Sequence, residues 1–76
     1  MEYDILVKIS REDVHFLSYV LETEDNMMNI RKYENGILRI IVPDAFKNEV
    51  LKLLESMKKH IKLEVVDVKK NNGSAD

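Results

Sequence analysis

Cysteine is missing from this sequence altogether. That excludes a disulfide framework, a thiolate nucleophile and any cysteine-ligated zinc centre, so apolar packing must supply the stability of the fold. Glycine is nearly as scarce. Gly36 and Gly73 are the only two, and neither opens a helical segment, which removes a glycine-rich phosphate loop and with it nucleotide binding. No apolar run approaches the roughly 18 residues of a membrane span. The start, Met1-Glu2-Tyr3-Asp4, carries acids where a signal peptide needs bases, so a cytoplasmic protein is expected. Nor is there a large excess of one charge: 12 basic against 14 acidic side chains leave a balance of -2, which gives no net attraction toward nucleic acid or an anionic membrane.

With 76 residues the chain is one small domain, which on folding hides only about 60% of the surface that the unfolded chain exposes. A partner subunit is a natural supplement to so small a core. Charge is shared unevenly along it, since residues 1–38 hold four basic and eight acidic groups and residues 39–76 hold eight and six. The positive excess gathers near the end of the second helix and in the tail, an arrangement suited to attraction between the halves or between subunits.

Tyr3, Ile5, Val7 and Ile9 alternate with Asp4, Leu6 and Lys8, the period of two of a strand with one buried face. Ser10 stands where an N-cap belongs, Glu12 and Asp13 suit the first turn, and a helix is predicted from Arg11 to about Thr23. Met27 to Glu34 and Ile37 to Val42 flank Asn35-Gly36, the strongest short hairpin signal, because both residues tolerate positive φ. Pro43 ends the second of these strands, Asp44 is the expected cap, and Phe46, Val50, Leu53, Leu54, Met57 and Ile61 predict a helix from Ala45 to about His60. Leu63 to Val68 makes a last strand, and the polar tail from Lys69 to Asp76 has too little apolar surface to order. The domain is therefore residues 1–68 and the tail 69–76.

Strand, helix, strand, strand, helix, strand is the ferredoxin-like split βαβ order. It implies an α+β, four-stranded antiparallel sheet with both helices on one face, the first and third strands central. The edge strands would carry Arg31, Lys32, Glu64 and Lys69 against unwanted pairing.

The stretch from Ser10 to Glu22 gathers an arginine, a histidine, a tyrosine and acids, a composition that invites a site. On a helical wheel Val14, Phe16, Leu17, Val20 and Leu21 share one arc, while Arg11, His15, Tyr19 and Glu22 form a strip on the opposite, solvated side. A histidine in water without a positioned partner is no general base. His60 sits in the last turn of the second helix beside Lys58, Lys59 and Lys62, where cations suit the helix dipole, and it is 45 positions from His15. Neither histidine has carboxylates at ligand spacing, and Met27-Met28 point to opposite faces of a strand, so no metal site is expected. No catalytic residue and no cofactor are predicted: Ser10 serves as a cap, and Ser18 and Ser56 lie on helices without a nucleophile motif. Base stacking needs aromatics on the central strands, and Ile37-Leu38-Arg39-Ile40-Ile41-Val42 has none, which argues against RNA.

The segments "ISREDVHFLSYVLET", "NGILRIIVPD" and "KNEVLKLLESMKKHI" together resemble an uncharacterised family of small bacterial proteins known as a domain of unknown function. The resemblance spans about nine-tenths of the chain and is carried by Arg11-Glu12-Asp13, Leu21-Glu22, Val42-Pro43 and Val50-Leu51-x-Leu53-Leu54-Glu55. It implies no activity. In its element order the chain also looks like ACT-type regulatory domains, which pair through their sheets and hold small ligands at the junction. That likeness implies a ligand loop at Ser10 and Arg11, where those domains usually carry a glycine.

Arg39 decides which face of the sheet is core, because burying Leu38, Ile40 and Val42 under the helices keeps its guanidinium out of the interior. The open face then carries Leu6, Ile37 and Ile41 ringed by Asp4, Lys8 and Arg39, an apolar centre with a charged rim. The expected function is a non-enzymatic interaction module that forms a homodimer, or docks on another cytoplasmic protein, through Leu6, Ile37, Arg39 and Ile41. The alternative is an ACT-like domain binding a small ligand at Ser10 and Arg11.

Overall fold

The computed structural model describes residues 2–22 and 29–71. Its elements are β1 (Glu2–Ile9), α1 (Arg11–Glu22), β2 (Asn29–Glu34), β3 (Ile37–Pro43), α2 (Lys47–Met57) and β4 (Leu63–Asn71), with a 3-10 turn, Asp44–Phe46, before α2. All strand pairings are antiparallel, and the sheet order is β2-β3-β1-β4, so β1 and β3 are central and β2 and β4 are edges. The architecture is α+β.

Alternation along the two central strands builds the core. Ile5, Val7 and Ile9 of β1 are buried, and so are Leu38, Ile40 and Val42 of β3, while Ile37, Arg39 and Ile41 between them are half-buried. The register opposes Ile5 to Ile40 and Val7 to Leu38, which brings the two apolar sets onto the same side. Leu17 of α1 and Val50, Leu54 and Met57 of α2 join that same cluster, so both helices cover one face and leave the other open. Truncating a side chain of this set, such as Leu54, removes transfer energy and leaves a cavity, which together cost about 2–5 kcal/mol.

Several sequence expectations are corrected at the helices. Phe16 is 44% exposed instead of buried, because it lies a full 100° step around the helix from Leu17, the residue that meets the sheet. Phe46 is exposed as well, since it belongs to the 3-10 turn and not to the helical stripe it was assigned to. The α-helix begins at Lys47, after Ala45, and Asp44 makes no side-chain cap hydrogen bond; Pro43 holds extended backbone, and the tight turn that follows bonds the Lys47 N–H to the Asp44 carbonyl. At the other end α2 stops at Met57, short of His60. There the Lys58, Lys59 and His60 N–H groups reach back three residues, at 3.2, 3.3 and 2.9 Å, and wind the chain into a 3-10-like turn.

β4 runs three residues past Val68, because Asp4, Tyr3 and Glu2 of β1 supply partners for Lys69, Lys70 and Asn71. The placements expected for Thr23, for Met27-Met28 and for 72–76 lie outside the described residues, as do those of the Leu21 and Glu22 side chains.

Both edge strands are bulged. The β2 register shifts between Ile30 and Lys32, leaving Arg31 without a Cα partner on β3, and the β4 register shifts so that Val66 has none on β1. A bulge interrupts the regular row of donors and acceptors that an edge would offer to a further strand.

The β2–β3 turn has positive φ at both residues, 54° at Asn35 and 81° at Gly36. A Cβ added at Gly36 meets no atom within 4 Å, so any penalty there is conformational and not steric. Gly36→Val is expected to lower unfolding free energy by about 2 kcal/mol through left-handed strain on a β-branched residue, measured by urea denaturation. A neutral result would mean the turn relaxes to another type.

Candidate functional site

The exit of β1 is held from two sides. The Ile9 N–H donates to the Gly36 carbonyl at 3.0 Å, and the Tyr33 hydroxyl donates to the Ile9 carbonyl at 2.7 Å, so both backbone groups of Ile9 are tied to the hairpin. The chain then turns into α1 at Ser10, whose hydroxyl donates to the Asp13 carboxylate at 3.1 Å and accepts the Asp13 N–H at 3.3 Å. The second of these is the expected N-cap bond, whereas the Asp13 carboxylate takes the Ser10 hydroxyl and not the Ser10 N–H that a capping box would give it.

Around this exit lies a cleft of about 460 Å³, walled by Lys8, Ile9 and Ser10 of the β1 end, Tyr33 and Gly36 of the hairpin, and Lys62, Leu63 and Glu64 at the start of β4. Three separate parts of the chain converge on it. Of its lining residues Ile9 and Leu63 are buried, whereas Lys8, Ser10, Lys62 and Glu64 are exposed. Of the two loop residues, Ser10 lines the cleft, whereas Arg11 lies over the Tyr33 ring at 5.9 Å from its centroid and is not among the lining residues.

The open sheet face is the second candidate. Leu6 is opposite Arg39, Lys8 opposite Ile37 and Asp4 opposite Ile41, so Leu6, Ile37, Arg39 and Ile41 stand together on the side away from the helices. Arg39 Nη2 and Asp4 Oδ2 are 2.9 Å apart, and their side chains are only 21% and 15% exposed. A charge-assisted hydrogen bond so far out of water is held more firmly than a surface pair. Beside it Leu6, Lys32, Glu34, Ile37 and Arg39 line a shallow hollow of about 210 Å³. Neighbouring pairs at 3.2 Å (Lys32–Glu34) and 3.6 Å (Lys69–Asp67) spread alternating charge toward both edges.

Arg11, His15 and Tyr19 are exposed on α1, as the helical wheel places them, and His60 is exposed beyond α2. Among the described residues no group of three histidines or carboxylates gathers at metal-binding distance. Among the described residues no helix is long and apolar enough to cross a membrane.

A family model described as a domain of unknown function, DUF4911, matches residues 7–61, close to three-quarters of the chain. The chain belongs to the DUF4911 family. The matched span takes in the β1 exit, the hairpin and all of α2, and within the cleft it covers Lys8, Ile9, Ser10, Tyr33 and Gly36. Lys62, Leu63 and Glu64 follow just after the DUF4911 match. No curated protein and no solved structure matches this sequence.

Two outcomes test these placements. Tyr33→Phe deletes the bond to the Ile9 carbonyl and is expected to cost about 1 kcal/mol in urea unfolding, a value that separates a structural tether from a free hydroxyl. Alanine at Arg11, His15 and Tyr19 together is expected to move the thermal midpoint by less than about 4 °C, because none of the three enters the core. A collapse of stability in the triple variant would show that this strip is packed against something.

Proposed function

We propose that this domain is a non-catalytic interaction module that pairs with a second copy of itself through the open face of its sheet. The reading is carried by one observation: Leu6, Ile37 and Ile41 share a face that no helix covers, with Arg39 between the two isoleucines, opposite Leu6 and paired with Asp4. Charge on that face is mixed, with Asp4, Glu34, Glu64 and Asp67 standing among Lys8, Lys32, Arg39 and Lys69. A surface of balanced, alternating sign suits another copy of the same surface and does not suit a polyanion. The bulges in β2 and β4 point the same way, since they leave the face and not the edges as the regular surface.

Strands about 4.8 Å apart and about 3.3 Å per residue give a face of roughly 400 Å². Two such faces would bury about 800 Å², below the roughly 1,200 Å² at which stable specific interfaces begin, which supports a weak, transient pairing. In fold terms, the order β2-β3-β1-β4 with a helix after β1 and another after β3 supports the ferredoxin-like description. The cleft beside Ser10 favours a second reading, a small-ligand regulatory domain of the ACT type.

Ile41→Glu places two like charges close to the two-fold axis and beside Asp4, and is expected to convert dimers to monomers with the helix-side core intact. Sedimentation velocity on the wild type, on this variant and on the exposed α2 control Lys52→Glu reads the result. A wild type that stays monomeric at high micromolar concentration removes the homodimer.

A further inference from the structure

Cross-strand register arranges the open face in lines that run across its strands. The middle line is Lys32, Arg39, Leu6 and Asp67, each the partner of the next. On one side of it stand Ile37, Lys8 and Glu64, from β3, β1 and β4, and on the other side stand Ile41, Asp4 and Lys69 from the same three strands. Strand by strand these outer lines complement each other: isoleucine answers isoleucine, Lys8 answers Asp4, and Glu64 answers Lys69. The charges of the middle line are already neutralised within the chain, Arg39 by Asp4 at 2.9 Å, Lys32 by Glu34 at 3.2 Å and Asp67 by Lys69 at 3.6 Å. Lys8 and Glu64 are the contrast. Both are exposed, and although they oppose each other across β1 and β4, neither has an ion-pair or hydrogen-bond partner among the described residues.

We propose that the second copy docks on this face about a two-fold axis that runs across the strands, along the line from Lys32 to Asp67. The inference rests on the homodimer reading and fixes its geometry. In an isologous pair such an axis lays each residue of the middle line over itself, and each residue of one outer line over its counterpart in the other. Ile37 then packs on the partner's Ile41, and Leu6 on the partner's Leu6. Lys8 meets the partner's Asp4, and Glu64 meets the partner's Lys69, so the two charges left single in one chain each gain an opposite charge. Self-contact along the axis costs least where a charge is neutralised at home, which is the state of Lys32, Arg39 and Asp67. The other axis that keeps the strands of two sheets aligned runs along them, and lays β3 over the partner's β1 and β2 over the partner's β4. It would set Ile37 on Lys8, Ile41 on Asp4 and Glu34 on Glu64. Apolar and charge matching both select the crosswise axis.

Sedimentation equilibrium of the full chain at low ionic strength tests the axis through Glu64 and Lys69, which lie about 15 Å apart along β4 and do not pair within one chain. Glu64→Lys alone and Lys69→Glu alone are each expected to weaken self-association by about tenfold, since each sets like charges together at two symmetry-related contacts. An equimolar mixture of the two variants should associate as tightly as the wild type, because every such contact is then between opposite charges, and the double variant should do the same. Circular dichroism confirms that each variant is folded, and both positions are exposed on an edge strand. A mixture of Glu49→Lys with Lys52→Glu, on the exposed side of α2, measures the effect of net charge alone. Single variants that associate like the wild type, or a mixture that stays as weak as its components, overturn the axis and leave the face-to-face homodimer standing. So does recovery that the α2 mixture reproduces. Tighter association of Glu64→Lys overturns it in favour of the axis along the strands, where position 64 meets Glu34. A wild type that does not associate overturns the axis and the homodimer together.

Discussion

A guanidinium in the middle of a central strand sets the orientation of this sheet. Arg39 has Leu38 and Ile40 as neighbours in β3, and an alternating strand must send either Arg39 or that pair under the helices. Stripping water from an unpaired guanidinium costs far more than leaving a few aliphatic groups half-exposed, so Leu38, Ile40 and Val42 go in. From that choice follow the side on which α1 and α2 pack, the facing of β1 through its register with β3, and the exposure of Leu6, Ile37 and Ile41. Asp4, two residues along β1 from Arg39's cross-strand partner Leu6, then completes the arrangement by meeting Arg39 on the open side.

The two candidate surfaces are consequences of the same layout and are not independent. β1 alternates between them: Ile5, Val7 and Ile9 face the helices, Leu6 faces the open side, and Lys8 closes the open side where the cleft begins. A second copy on the sheet and a small molecule at its end would therefore meet the same strand at successive residues. Binding at one would alter the charge or the cover felt at the other, which is a physical route for coupling between them.

Strand positions were legible because strand logic is local. The alternation in Tyr3–Ile9 and in Ile37–Val42, and the turn preference of Asn35-Gly36, each depend on neighbouring residues, and the structure follows them. The ends of α2 were less legible, since Ala45 and Phe46 suit a helix by type, yet the chain leaving Pro43 takes a 3-10 turn first. Phe16 stays exposed because an apolar arc on a wheel is wider than the line along which one helix touches a sheet. The bulges at Arg31 and Val66 have no glycine or proline to announce them. In the cleft, Ser10 was marked by its place after the first strand, but Tyr33, Gly36, Lys62, Leu63 and Glu64 are brought to it from distant parts of the chain. Only tertiary pairing assembles such a set.

The continuation of β4 to Asn71 has a consequence for motion. Glu2 and Asn71 are register partners, so the first and last described strand residues close the same end of the ladder. Opening of residues 2–4 must release 69–71, whose ladder partners they are, whereas 69–71 can open alone, since residues 2–4 are also paired with 41–43 of β3. Slow amide exchange at residues 69–71 would accordingly report on residues 2–4 as much as on themselves. Loss of residues 2–4 would loosen 69–71, while the opposite end of the sheet, held by Tyr33 and Gly36 on Ile9, would keep its protection.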